Sequence, residues 1–216
     1  MKKPYYLIIL VLICKIGSAQ DTLKFNRIIF KIAPINFFDD YSFKTTQVGF
    51  EFRFTPKYSI DFSYGQVFGK ESIDHFKGTG FKAKSEIRRY RNNKKAKKLS
   101  RYFALEGFYH KIDYPARNLF KNSTDSSSYG EDFFIKKNVW GLNVKYGFTC
   151  NFLKRLVLDV YGGVGIRIKD VQHLNRTRPD DRFDSRHFLA HNIRDQKGFY
   201  PAPNLTLAFK IGYVLK

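Results

Sequence analysis

Cysteine and long hydrophobic runs are the features that this sequence most lacks. Only two cysteines occur among its 216 residues, and Cys14 falls in a segment that is expected to be removed. Cys150 therefore has no partner for an intramolecular disulfide. Beyond residue 19 no stretch approaches the roughly 20 apolar residues that a helix needs to cross a bilayer. Any membrane residence must therefore come from strands.

Acidic residues are also scarce beside basic ones. The chain has 19 Asp and Glu against 39 Lys and Arg, a formal net charge of +20. Such an excess is typical of proteins that bind nucleic acid or an anionic surface. An exported chain does not meet nucleic acid, so the charge favours an envelope rich in phosphate and acidic sugar.

The N-terminus is typical of a secretory signal. Two lysines follow Met1, an apolar run of nine residues comes next, and small residues lead up to Ala19. These are the three regions that signal peptidase substrates share. We therefore predict a signal peptide over residues 1–19 and one exported domain over residues 20–216.

The most informative pattern in the rest of the chain is an alternation with a period of two. In one stretch Phe50, Phe52 and Phe54 alternate with Glu51 and Arg53. Such a period places alternate side chains on opposite faces of a strand. The chain is therefore predicted to be all-β, with eight strands at residues 25–35, 43–54, 58–68, 80–90, 101–112, 137–149, 156–169 and 204–215.

The predicted connections alternate in length. Those after the second, fourth and sixth strands are short, whereas polar loops over residues 113–132 and 170–200 are the longest. Outer-membrane barrels show this asymmetry, and we predict an eight-stranded antiparallel up-and-down transmembrane β-barrel. A secreted lipocalin-like barrel is the alternative, and it would place the apolar face inside.

One face of the strands carries nearly all the charges. An eight-stranded barrel has room inside only for its own side chains, and buried carboxylates need paired bases. We predict an ion-paired interior that closes the lumen, with Arg27, Lys31 and Lys169 on the same face. A narrow anion-selective pathway is the alternative, because bases outnumber acids. The predicted interior charges are Glu51, Arg53, Asp61, Lys82, Lys84, Glu86, Arg88, Glu106, Lys145, Asp159, Arg167 and Lys210.

Aromatic residues gather near the predicted strand ends, as in the girdles that lie at headgroup level. One girdle is expected at the long-loop ends, formed by Tyr41, Phe43, Tyr64, Tyr109, Tyr114 and Trp140. The other is expected at the short-turn ends, formed by Phe54, Tyr58, Tyr90, Tyr102, Phe148, Phe152 and Tyr213.

Basic residues are also concentrated in two connections. The connection over residues 88–101 is either a ligand patch or a solvated turn that attracts inner-leaflet phosphates. The last long loop is predicted to present arginines to lipopolysaccharide phosphates, which guanidinium groups bind bidentately. These arginines are Arg176, Arg178, Arg182, Arg186 and Arg194.

Two groups of residues are candidates for a metal site or a catalytic site. His187 and His191 are four apart and would share a helix face suited to zinc, but loop histidines recur by chance. His110 has no serine or carboxylate at a spacing that indicates a nucleophile and its base. We predict no catalytic residue, no metal and no cofactor.

Four segments carry a resemblance to a known kind of protein. They are Gly17-Ser18-Ala19-Gln20, Val48-Gly49-Phe50-Glu51-Phe52, Tyr161-Gly162-Gly163-Val164-Gly165 and the closing Leu207–Tyr213 segment. On these segments the chain resembles the small outer-membrane β-barrel proteins of Bacteroidota, and more loosely the OmpX and OmpA barrel family. It departs from the usual aromatic ending, since it closes with Val214-Leu215-Lys216. The resemblance implies assembly by the barrel-assembly machinery, but a family defined by fold supplies no function.

Taken together, these features predict a monomeric, non-enzymatic protein of the bacterial outer membrane. Envelope structure or surface interaction is the expected function, with outer-membrane lipid and lipopolysaccharide as partners. A small-solute, anion-preferring channel is the first alternative, and a lipid-modifying outer-membrane enzyme is the second.

Overall fold

A computed structural model of the chain describes residues 27–34, 45–67, 78–92, 99–122, 127–152, 155–178, 181–183 and 196–215. The predicted signal peptide lies outside these residues. Among the described residues, no helix is long and apolar enough to cross a membrane.

The described residues form one antiparallel sheet that closes on itself. The strands are β1 (Arg27–Ala33), β2 (Thr45–Arg53), β3 (Tyr58–Val67), β4 (Thr79–Asn92), β5 (Leu99–Lys121), β6 (Ser128–Asn151), β7 (Leu156–Leu174), β8 (Arg182–Phe183) and β9 (Gly198–Val214). Apart from β8, each strand pairs with the next along the chain, and β1 pairs with β9 to complete the ring. The two-residue β8 pairs only with the end of β5. The all-β prediction of eight antiparallel strands is confirmed.

The closed sheet is strongly staggered. A path that starts at Ile29 and steps from each residue to its cross-strand partner on the next strand arrives at Asn204 on β9. Where β9 meets β1, however, Ile29 pairs with Val214. The ring thus closes ten residues further along β9. Over eight strands this stagger gives a strand tilt of about 40°. A barrel of this size is filled by its own side chains.

The two faces of the sheet are opposite in character. Phe50, Phe62 and Leu207 point outward and are 43%, 51% and 43% exposed, whereas Glu51 and Asp61 beside them are buried. A lipocalin has its apolar face inside. The lipocalin-like alternative is therefore wrong for this chain.

Four strands are at least five residues longer than the sequence predicted. β5 and β6 continue to Lys121 and from Ser128, so most of the expected loop over residues 113–132 is strand. β7 and β9 likewise extend into the expected loop over residues 170–200. An apolar cluster explains the extension, because its members alternate along the inner faces of the prolonged strands. The cluster consists of Val67, Ile112, Tyr114, Ala116, Phe120, Phe133, Ile135 and Val171.

Two inward glycines on β6 make room for rings from β5. A Cβ atom on Gly147 would lie 2.5 Å from the Tyr102 ring, and one on Gly141 would lie 2.4 Å from the Phe108 ring. The glycines thus let these aromatic side chains pack closely against the neighbouring strand within the narrow interior. Tyr102 reaches the charged centre of the barrel in this way.

Candidate functional site

The structure brings the predicted interior charges together. Ten of the twelve are buried, while Arg53 and Arg167 are partly buried. Lys31 is also buried, Lys169 is half-buried, and Arg27 is exposed at the end of β1. The buried ten are Glu51, Asp61, Lys82, Lys84, Glu86, Arg88, Glu106, Lys145, Asp159 and Lys210.

Four carboxylates lie side by side across neighbouring strands. Glu51 on β2 is opposite Asp61 on β3, Asp61 is opposite Glu86 on β4, and Glu86 is opposite Glu106 on β5. Like charges directly opposite one another destabilise a sheet. This register is therefore possible only because bases lie between the carboxylates.

Arg88 is the base with the most acidic partners. Its guanidinium lies 2.6 Å from both Glu86 and Asp159, 3.2 Å from Asp61 and 3.4 Å from Glu51. The guanidinium carbon also lies 4.6 Å from the centre of the Tyr102 ring. One planar group thus links carboxylates from four different strands.

Three lysines neutralise the same carboxylates from other strands. Lys31 Nζ lies 2.5 Å from Glu51 and 2.7 Å from Asp159. Lys145 Nζ lies 2.8 Å from both Glu86 and Glu106. Lys210 Nζ lies 2.9 Å from Asp61 and 3.0 Å from Glu86.

We call this assembly the interior charge network. It joins the five carboxylates above to five bases, the fifth being Arg53, whose Nε lies 2.9 Å from Glu51. Acids and bases balance, so the network has no formal net charge. Its members are Glu51, Asp61, Glu86, Glu106, Asp159, Lys31, Arg53, Arg88, Lys145 and Lys210.

Two tyrosines predicted for the short-turn girdle belong to this network instead. Tyr90 and Tyr102 point inward and are 3% and 0% exposed. Their hydroxyls donate to Glu51 at 2.7 Å and to Asp159 at 2.6 Å. The alternation of the strand could have predicted this position for Tyr90, because Tyr90 follows Arg88 by two residues and so lies on the same face.

The surplus of interior bases lies beyond the network, toward the long-loop end. Lys82 and Lys84 are buried on β4, and Lys82 is opposite His110 of β5. Lys82 Nζ lies 5.4 Å from the Phe108 ring centre. The interior is thus electrically neutral near the short turns and basic further along the barrel.

The outer face has an apolar belt bounded by charges. On β5 the outward side chains between Arg101 and Lys111 are Phe103, Leu105, Gly107 and Tyr109. Ten residues span about 33 Å along a strand, or about 25 Å along a barrel axis at this tilt. That height equals the apolar band of known outer-membrane barrels.

Aromatic side chains line the long-loop edge of this belt. Tyr64, Phe81, Tyr109 and Trp140 contact one another in sequence across four strands, with ring centres 5.9, 5.7 and 5.7 Å apart. Tyr114 does not join them, because it points inward into the apolar cluster. Tyr41 and Phe43 lie outside the described residues.

The short-turn edge of the belt has a second aromatic group. Phe103, Tyr146 and Phe148 are neighbours there, with ring centres 4.9 and 5.1 Å apart. Four more aromatics predicted for this girdle are exposed or half-buried, as expected of an outer rim. They are Phe54, Tyr58, Phe152 and Tyr213.

Arg176 does not extend into solvent as predicted. Its side chain is 4% exposed, its Nε lies 3.3 Å from Glu131, and its guanidinium carbon lies 3.7 Å from the Phe120 ring centre. The Thr177 backbone N–H also donates to Glu131, and the Tyr129 hydroxyl donates to Asp181 at 2.8 Å. These contacts fasten Arg176, Thr177 and Asp181 to the β5–β6 hairpin, beyond the apolar belt.

Of the other predicted loop arginines, Arg178 and Arg182 lie among the described residues. Arg178 is exposed and its guanidinium carbon lies 5.5 Å from the Tyr129 ring centre. Arg182 contributes backbone pairing to β5. Arg186 and Arg194 lie outside the described residues, as do His187 and His191.

Three interior carboxylates are close enough to suggest a cation. Oxygens of Glu51, Asp61 and Asp159 lie within 4.8 Å of one another. Lys31 and Arg88 already lie between them. These bases supply the positive charge that a metal ion would otherwise provide.

In comparisons with known proteins, no family model, no curated protein and no solved structure matches the chain.

The interior charge network predicts that replacing Arg88 lowers the free energy of unfolding more than replacing Arg53 does. Arg88→Met should lower the free energy of unfolding by about 3–5 kcal/mol, because it leaves buried carboxylates without their shared base. Arg53→Met, the matched control, removes a partly exposed arginine that contacts one network carboxylate and should cost about 1–2 kcal/mol. Urea titration of the refolded chain measures both. Equal losses would contradict the role assigned to Arg88.

The contacts of Arg176 and Thr177 with Glu131 are predicted to be sensitive to acid. Burial opposes the charge of Glu131, but the Thr177 N–H and the Arg176 guanidinium outweigh it and lower the pKa of Glu131 below its ordinary 4.5. The stabilisation is therefore complete above about pH 4.5 and is lost as the pH falls through the lowered pKa.

Hydrogen exchange at the Thr177 amide tests this contact. Glu131→Gln should lower its protection about tenfold or more at neutral pH and abolish its dependence on acid. Asp132→Asn is the control, because Asp132 is 79% exposed and faces outward. Acid dependence that persists in Glu131→Gln would refute the assignment.

Proposed function

We propose that this protein is a non-enzymatic β-barrel of the bacterial outer membrane, closed to solutes and suited to envelope structure or surface interaction. The observation that carries the proposal is a charge-free apolar belt on the outside of a barrel whose charges are buried and paired within. Water does not favour that arrangement, since it exposes large apolar side chains and buries ionic ones. Lipid does.

The backbone supports the same environment. Every strand of the ring has a partner on both sides, so the belt region presents no open sheet edge. Only helices and closed barrels satisfy their backbone groups within hydrocarbon. The signal-like N-terminus and the resemblance of the sequence to outer-membrane barrels are consistent with export to that membrane.

A closed interior follows from the interior charge network. Its side chains enter the interior from all eight strands of the ring and contact one another directly. An eight-stranded barrel leaves little space beyond its own side chains. Passage of an ion would require breaking several buried ion pairs together.

The prolonged β5–β6 hairpin favours a role at the cell surface. It continues from Lys111 to Lys121, which adds about 33 Å of strand beyond the belt. Arg176, Thr177 and Asp181 brace it through Glu131 and Tyr129. Exposed Arg117 and Arg178 would face anionic groups such as lipopolysaccharide phosphates.

A small-anion pathway is the second candidate, favoured by Lys82 and Lys84 in the interior. Planar-bilayer recordings separate the two. The wild-type chain, with insertion verified independently, should give no conductance steps. Steps that favour chloride and disappear in Lys82→Gln/Lys84→Gln would contradict a closed barrel and establish the pathway.

A further inference from the structure

An unusual arginine pair lies on the outer face at the short-turn edge of the belt. Arg91 of β4 and Arg101 of β5 are direct cross-strand partners, and both are exposed. Arg89 is exposed two residues before Arg91 on the same face. Like charges directly opposite one another in a sheet are destabilising.

Among the described residues, no carboxylate forms an ion pair with Arg89, Arg91 or Arg101. The sequence supplies no acidic residue between Glu86 and Glu106, while the intervening connection adds four lysines. An anion from outside the chain would reduce the repulsion between Arg91 and Arg101.

The surroundings indicate what kind of anion fits. A groove of about 250 Å³ is lined by Arg91, Arg101, Tyr102, Phe103 and Tyr146. The Arg101 guanidinium carbon lies 5.8 Å from the Phe148 ring centre. Charged groups and aromatic rings thus adjoin at the point where the belt ends, which is where headgroup and acyl chain of a lipid meet.

We infer that Arg91 and Arg101 form a binding site for the phosphate of an anionic glycerophospholipid. The two guanidinium groups hold the phosphate bidentately, and Arg89 on the same face adds positive charge. The acyl chains lie against Phe103 and Tyr146. This inference rests on the proposed membrane location and adds a lipid class and a site to it.

Native mass spectrometry of the full chain in mixed micelles of phosphatidylglycerol and phosphatidylcholine tests the site. Wild type should retain phosphatidylglycerol preferentially, and Arg91→Gln/Arg101→Gln should lose about thirtyfold of that preference. Lys111→Gln/Lys136→Gln removes two outer charges from the opposite edge and should keep it. Retention unchanged in the arginine variant would overturn the inference, and so would an equal loss in both variants.

Two further arms identify the ligand. Inorganic phosphate or an acidic peptide that displaces phosphatidylglycerol as effectively as unlabelled lipid would also overturn the inference, because the site would then not be one for lipid. If the glutamine variant does not fold, Arg91→Lys/Arg101→Lys replaces it: loss of preference supports bidentate binding, and full retention contradicts it.

Insertion is measured separately through Trp140, which lies at the far edge of the belt. Quenching of Trp140 by lipids brominated in their acyl chains should be equal in wild type and both variants. Absence of quenching in wild type would contradict the membrane location itself. Quenching without preference for phosphatidylglycerol would remove only the lipid site.

Discussion

The guanidinium of Arg88, buried among carboxylates from four strands, is the contact on which the barrel interior depends. Each carboxylate alone would be expensive to remove from water. Their cross-strand register adds repulsion between neighbours. Arg88, with Lys31, Lys145 and Lys210, offsets both costs by giving every network carboxylate a close base.

The outer face follows from this arrangement. Strand alternation allows only two directions for a side chain, and the charges occupy the inner one. The outward positions between Arg101 and Lys111 are thereby left to apolar and aromatic residues. An interior charge network without net charge and an outer belt free of charged side chains are thus two results of one pattern, and together they suit a barrel surrounded by lipid.

Much of the fold could be predicted from the sequence, but the pairing of its charges could not. Alternation around Phe50 and Phe62 indicates both the strands and their faces. Lys31 and Asp159, however, are 128 residues apart, and only the ten-residue stagger of the ring brings them together. No local spacing encodes that stagger.

The prolonged part of the β5–β6 hairpin could not be predicted for a related reason. Strand alternation beyond Ile112 is apolar inside but mixed outside, so it reads as a polar loop. Arg176 and Glu131 are 45 residues apart, and their contact depends on the prolonged β5–β6 hairpin. Arg176 therefore reads as a solvent-exposed loop arginine until the hairpin is known.

Depth-dependent quenching of a tryptophan at position 144 tests the central claim most directly. Val144 points outward from the middle of the belt and is 59% exposed. In a Val144→Trp/Trp140→Phe chain reconstituted in vesicles, bromines near the acyl-chain ends should quench most strongly, whereas wild-type Trp140 should respond most to bromines near the headgroups. Strong quenching of position 144 by aqueous acrylamide, with none by brominated lipid, would contradict a barrel with lipid on its apolar face.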